Sequence, residues 1–517
     1  MDRGRGRSFQ VSVQPAREEL GARSDWVLLG SVVLLPTFLF VALQAVPGLD
    51  VLFKSLLFHI IVVSLVSGCA LLVALMAGWA AARARQPAVV LLAIGCLYVG
   101  FLMLTHGLTT PIVANRPLNT WVGRAPNLAI AAFAFFTAAA TARPHHRRSR
   151  FIGRYPTGTL LVAAIVGGVA CAAIVIRPSV GLGSTPLSHE TGLTQALAVL
   201  SGITLIITAL TYFRRWQLSR DRVQLALTLA CFLAAEALVS LQLGKLWRVS
   251  WWDYHGLLLT GFASAVAAVF MEYRRSRTIE GALSTIFLSD PLENIAHGYP
   301  EALKALVAAV EAKDVYTHGH SARVAEMSVR IGLRMGLKPA TLRRLAQGAL
   351  LHDIGKIGVP DQVLNKPGSL TDEEWFWIKQ HPIMGAEIVR QAPSLHHAIP
   401  AIQHHHERLD GQGYPDQLEG DHIPLEARIV AVADVWDAIR SDRAYRPAWP
   451  IQEALDHMVA GRGFHFDPVC LDAFLAVLAD EGVHPGGQQG DVAEVLRAAE
   501  ACHGAQHDRL EGARPSR

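Results

Sequence analysis

The sequence predicts an all-α chain in two parts: a bundle of eight membrane-spanning helices, followed by a helical unit rich in histidine. Three observations carry that reading. Nearly all of the apolar excess falls before Met271, in uncharged runs separated by short Arg-rich breaks. After it, apolar residues recur three and four positions apart, the spacing of a helix face. No alternating strand run appears in that second part. The chain has 517 residues, 51% hydrophobic and 17% charged, a charge content low for a soluble protein and a length sufficient for two or three domains.

The eight spans, each about twenty apolar residues, run approximately Trp26–Val46, Leu56–Ala81, Pro87–Leu104, Pro126–Ala142, Thr157–Ile176, Leu193–Phe213, Val223–Leu243 and His255–Met271. The positive-inside rule gives an independent check. Basic segments follow every second span, at Arg83–Arg85, Arg143–Arg154, Arg214–Arg222 and Arg274–Arg277. The intervening loops, around Gly48, Thr105–Gly123 and Pro178–Thr191, are poor in Lys and Arg. Eight spans with both ends in the cytoplasm satisfy this pattern, whereas seven or nine would place the second part outside. The net charge of +4 sits at these breaks, so it reads as topology and not as affinity for a nucleic-acid polymer.

His59, His106, Glu236 and His255 lie in or near the spans. Ionisable groups there are costly and are functional candidates, although pairing between helices or exposure at an outer end is the blander account. Trp247, Trp251, Trp252 and Tyr254 read as an interfacial belt rather than a ligand cage. The six cysteines are scattered without CxxC spacing, which fits a reducing compartment for the second part. The basic start, Met1 to Arg23, lacks the features of a removable signal peptide.

Residues 272–300 contain Asp290-Pro291 and Gly298-Tyr299-Pro300, helix breakers that suit a coupling linker. From Ala302, the stripe Leu303, Leu306, Val307 and Val310 predicts a helix that delivers His320 and Arg323. A second helix, Leu342 to Leu351, ends at His352-Asp353. Thr371-Asp372-Glu373-Glu374 is a capping box opening the helix of His381. Arg428 to Ile439 carries Asp434 in mid-helix. The segment 481–517 reads as a loosely held tail, with a short helix over Val492–Ala501.

The histidines of this second part form an ordered set. Thr317-x-Gly319-His320-Ser321-x-Arg323-Val324, His352-Asp353-Ile354-Gly355-Lys356, His381-Pro382, His405-His406-Glu407, Gly411-x-Gly413-Tyr414-Pro415, Val432-Ala433-Asp434 and Arg443-Ala444-Tyr445-Arg446 follow one another. Five imidazoles and two carboxylates in about a hundred residues make a metal inventory of the kind that activates water. The set resembles the HD-GYP domain, the phosphodiesterase branch of the HD superfamily, over roughly residues 300 to 480.

That resemblance implies an all-helical metal phosphohydrolase domain over 301–480; the apolar runs and Arg-rich breaks before it read as a cytoplasmic segment (1–25) and a membrane sensory or anchoring domain (26–271). It implies that His320, His352 and Asp434 hold one metal, that His381, His405 and His406 hold another, and that Asp353 bridges both. Mixed imidazole and carboxylate ligation suits iron or manganese, with zinc possible, better than magnesium. Tyr316 stands where some family members have a glutamate that holds a third metal, so two ions are expected. His318 and His404 lie outside the motif and read as solvated or supporting.

Lys356 is placed to neutralise phosphate charge, and Arg443, Arg446 and Tyr414 are the other substrate candidates, Tyr414 also as a partner contact. The implied activity is hydrolysis of cyclic di-GMP to the linear dinucleotide or GMP, at the inner membrane, with the catalytic unit cytoplasmic. A related substrate such as cyclic GMP-AMP, or a receptor without turnover, are the alternatives. Lipid, a second copy of the chain and a signalling protein at the Gly411–Pro415 loop are the implied partners.

Overall fold

A computed structural model describes residues 16–46, 48–110, 121–141, 147–176, 191–283, 291–297, 299, 301–314, 319–442, 447–480 and 482–483. The chain divides into two units, Met1–Asp290 and Pro291–Arg517. The described residues are helical, with β pairing limited to three isolated bridges.

In the first unit the helices are α1 (Ala16–Ala45), α2 (Leu56–Ala84), α3 (Pro87–Thr109), α4 (Trp121–Thr141), α5 (Arg147–Arg154), α6 (Pro156–Ile176), α7 (Thr191–Ser219), α8 (Arg222–Leu243), α9 (Val249–Ser276) and α10 (Ile279–Ala282). Local chemistry sets several boundaries. The Ser55 hydroxyl accepts from the Phe58 amide at the start of α2, Pro87 opens α3, and Asp221 accepts from Val223 and Gln224 at the start of α8. Six helices close a ring: α2 on α3, α3 on α4, α4 on α7, α7 on α8, α8 on α9, and α9 back on α2. Helix α6 is applied to α3 and α2, and α1 to α8 and α9. Small residues such as Ala70, Ala93, Ala129, Ala234 and Ala237 line the ring's core and let the helices approach closely. Leu161, Val162, Ile165, Val166 and Val169 of α6 instead point outward and are exposed.

Seven of these helices, α2, α3, α4 and α6 to α9, are long and apolar enough to cross a membrane. In α1 the described apolar stretch is the shorter Gly30–Ala45, so the expectation of eight spans stands at seven such helices plus this one. Two members of the expected aromatic belt turn inward. Helix α9 begins six residues before His255, and Trp251 and Tyr254 are buried at 7% and 0% exposure. They face inward because α9 packs there against α2 and α8. Glu236 accepts a short hydrogen bond from Thr37 of α1, the interhelical pairing that the blander account expects.

In the second unit the helices are α11 (Pro291–His297), α12 (Glu301–Lys313), α13 (His320–Arg334), α14 (Pro339–Leu351), α15 (Asp361–Leu364), α16 (Asp372–Arg390), α17 (Ile399–His404), α18 (Leu425–Arg440), α19 (Ile451–Ala460) and α20 (Pro468–Asp480). Helix α13 packs against α14, α18 and α20, while α17 sits between α16 and α18. Val324, Leu345, Ala349, Ile402, Val430 and Phe474 fill the space between them. The capping box of α16 forms in full, with Thr371 Oγ1 accepting from the Glu374 amide and Glu374 accepting from the Thr371 amide.

One helix assignment is corrected here. The stripe from Leu303 does not run on to His320: α12 ends at Lys313 and α13 begins afresh at His320. Gly319 stands at the N-cap of α13 with φ +71°, a left-handed conformation that glycine takes without strain. His320 therefore stands in the first turn of a helix, not in the middle of one.

Candidate metal centre

Five elements bring the site together. His320 comes from the start of α13, and His352-Asp353 from the end of α14. His381 comes from α16, His405-His406 from the turn after α17, and Asp434 from the middle of α18. His352 and His405 are 0% and 1% exposed, and His320, Asp353, His381 and Asp434 are buried with them. A 3-10 turn over Ile354–Gly358 follows the His-Asp pair and packs on α16. The packing is close: a Cβ on Gly355 would stand 1.8 Å from the His381 carbonyl oxygen. Only glycine allows the two ligand-bearing segments to meet.

The Asp353 carboxylate lies at the centre, and its two oxygens face different partners. Oδ1 is 3.4 Å from His381 Nε2. Oδ2 is 3.4 Å from His352 Nε2 and 3.7 Å from His320 Nε2. On one side, Asp434 Oδ1 lies 3.2 Å from His320 Nε2 and 3.8 Å from His352 Nε2. On the other, His381 Nε2 is 3.3 Å from His405 Nε2, and His381, His405 and His406 present ligand atoms within 4.8 Å of one another. The sets His320, His352, Asp353 and His352, His405, Asp434 meet the same limit. All seven expected ligands are thus brought together.

The donor set fits metal ions on observations of its own. Nδ1 of His352, His381 and His405 lies 2.7, 2.7 and 2.8 Å from the carbonyls of Ala349, Ile378 and Ile402. A carbonyl only accepts, so each Nδ1 carries the proton and each Nε2 offers its lone pair to the centre, the usual backing of a ligating histidine. His352 Nε2 is buried without a hydrogen-bond partner, a position a cation would satisfy. Burial holds His381 down at about 3 and His405 far below the ordinary imidazole range, so both are neutral ligands at neutral pH. For His320, burial is outweighed by Asp434 and Asp437, which raise it to about 9. For Asp353, burial is outweighed by Lys356 and His352, which keep its carboxyl well below the usual range.

Two acids that sequence reasoning missed support these groups. Asp437 Oδ2 accepts from His320 Nδ1 at 2.7 Å, and Arg323 clasps the same carboxylate at 2.6 and 3.0 Å. Its signal was present as a second Asp three residues after Asp434 on the same helix. Asp314 accepts from Lys356 Nζ at 3.1 Å, and that ammonium is also 2.8 Å from Asp353 Oδ2. Lys356 is therefore tied to the central carboxylate, a role beyond the expected phosphate contact.

The Tyr414 ring lies against His406 with ring centroids 4.7 Å apart and the planes tilted by 31°. Glu407, 2% exposed, accepts from the amides of Asp416 and Leu418 and so anchors the loop that carries Tyr414. His404 stands apart from the centre, 3.5 Å from Asp416 and 3.9 Å from Glu407. Arg443, Arg446, Tyr316 and His318 lie outside the described residues.

Comparison with known proteins places this geometry. Residues 304–470 match the family model described as HD domain. Over 177 residues the chain is 44% identical to a cyclic di-GMP phosphodiesterase response regulator, RpfG, of Xanthomonas campestris, covering 34% of this chain and 47% of that one. It is 38% identical over 237 residues to a cyclic di-GMP phosphodiesterase of Pseudomonas aeruginosa, covering 45% and 55%. It is 36% identical over 177 residues to a 3'3'-cGAMP-specific phosphodiesterase of Vibrio cholerae, covering 34% of each chain. The chain thus spans about half or less of the length of these relatives. Residues 304–470 are thus similar to the HD domain, in agreement with the HD-GYP resemblance of the ordered histidine motifs.

Proposed function

We propose that this chain is a membrane-anchored, metal-dependent phosphodiesterase that hydrolyses cyclic di-GMP to the linear dinucleotide or GMP. The observation that carries the reading is the division of Asp353, with one oxygen toward His381 and the other toward His320 and His352. His320, His352 and Asp434 would hold one ion, His381, His405 and His406 the other, and Asp353 would serve both. Iron or manganese suits the mixed set best. When bound, such ions supply Lewis acidity toward a phosphoryl oxygen and a water made nucleophilic at neutral pH.

The chain's own residues do the rest. Asp437 fixes the His320 ring and keeps its proton on Nδ1. Lys356 balances charge beside Asp353 and stands within reach of a bound phosphate. Tyr414 holds the His406 ring by a tilted ring contact. Arg443 and Arg446 are assigned to the phosphates or guanine edges of the substrate, which their planar forks suit.

The seven apolar helices and α1 make eight crossings, with the Arg-rich ends and the HD unit in the cytoplasm. Purified full-length chain, loaded with manganese or iron, should release linear dinucleotide from cyclic di-GMP. Similarity to cGAMP-specific enzymes makes 3'3'-cGAMP the second substrate to test. Saturable binding of cyclic di-GMP with no product from either dinucleotide would replace the enzyme reading with a receptor.

A further inference from the structure

A second histidine cluster lies in the membrane unit, apart from the HD domain. His59 sits in the first turn of α2, His106 in the last turn of α3 and His255 in the second turn of α9. They occupy one end of the bundle, because α2 and α9 both start there and run away toward Arg83 and Arg274. All three are buried at 0–1% exposure, and their ligand nitrogens lie within 4.8 Å of one another.

His106 Nδ1 is 2.8 Å from the Val122 carbonyl, so it carries the proton and Nε2 is left as a lone pair. That lone pair faces His59 Nε2 at 3.0 Å, the Tyr254 hydroxyl at 3.1 Å and His255 Nε2 at 3.4 Å. One lone pair cannot answer three neighbours. A cation at the centre resolves the crowding. Metal–nitrogen bonds of about 2.0–2.1 Å set tetrahedral ligand separations of roughly 3.3 Å, close to the observed spacings.

The charge balance narrows the ion. Among the described residues no carboxylate belongs to the cluster, and the rings of Trp247, Trp251 and Trp252 lie 5.3–5.8 Å from His59. The solvation cost of a buried ion grows with the square of its charge, so a monovalent ion is far less penalised here than a divalent one. Imidazole ligands suit copper. We propose that His59, His106 and His255 form a copper(I) site at the end of the membrane bundle opposite its Arg-rich termini, with Tyr254 beside the ion. This site is independent of the phosphodiesterase reading.

The test titrates full-length chain in detergent, under reducing and oxygen-free conditions, with copper(I) against a chromophoric chelator. Wild type should hold about one equivalent more than His106→Ala, since the HD-domain ligands are common to both. Zinc(II) titrated in the same way should show no such difference. Equal copper content in the two proteins overturns the site, and an equal difference for zinc overturns the monovalent assignment. If His106→Ala does not fold, His59→Gln takes its place under the same rule, because the ring it removes makes no contact to the backbone through Nδ1.

Discussion

At the scale of single residues, support of the ligands is as open to test as the ligands themselves. Asp437→Asn keeps size but weakens the acceptor for His320 Nδ1 and loosens Arg323. Loss of such a backing group costs about 10–100-fold in metal affinity or activity, so a competition titration should show one ion weakened by that factor. Unchanged affinity for both ions would make Asp437 a surface partner of Arg323 only. Loss of either Arg443 or Arg446 to alanine should cost roughly 1–3 kcal/mol, raising KM by about tenfold to a hundredfold, and the double variant should keep its metal content intact. Unaltered KM and kcat would return both to ordinary surface charge. The ligands were legible in the sequence because adjacent His-Asp and His-His pairs between apolar helices have few structural uses. Asp437 and Asp314 were not, since a lone acid at helix spacing looks like any solvated one until the fold sets it against His320 or Lys356.

At the scale of elements, two short segments decide whether the site can assemble. Gly355 lets the turn after His352-Asp353 meet α16 without steric conflict. Gly355→Ala should push the turn from His381, destabilise the catalytic unit by about 1–3 kcal/mol and lower metal content. A variant as stable and as metal-rich as wild type would mean that the backbone yields easily there. Thr371→Ala tests a helix start instead. Loss of the cap should lower the melting temperature by about 2–4 °C and leave kcat unchanged. A large fall in kcat would show that the cap reaches the site.

The cap and the helices bearing His381 and Asp434 could be read from residue order, because local hydrogen bonding and apolar spacing fix them. The break between α12 and α13 was harder to see. The left-handed turn of Gly319, from which α13 starts, leaves no mark in apolar spacing. The inward turn of Trp251 and Tyr254 was hidden for another reason: which face of a span meets its neighbours depends on packing that no single span records.

At the scale of the whole molecule, a bundle of apolar helices precedes a unit similar to the HD domain. Reporter fusions at Gly48, Gly183 and Trp252 should read outside, and those at Arg85, Arg148, Ser219 and Arg275 inside. A cytoplasmic signal at Gly183 would contradict eight crossings. The central claim is that one carboxylate serves two ions in a working phosphodiesterase, and it has one direct test. Full-length wild type and Asp353→Ala are loaded with manganese in parallel, and the manganese bound in the HD unit is counted beside cyclic di-GMP turnover. Wild type should hold two ions there and turn over, while the variant should lose both ions and all turnover. Loss of a single ion, or full metal and activity in the variant, would contradict it.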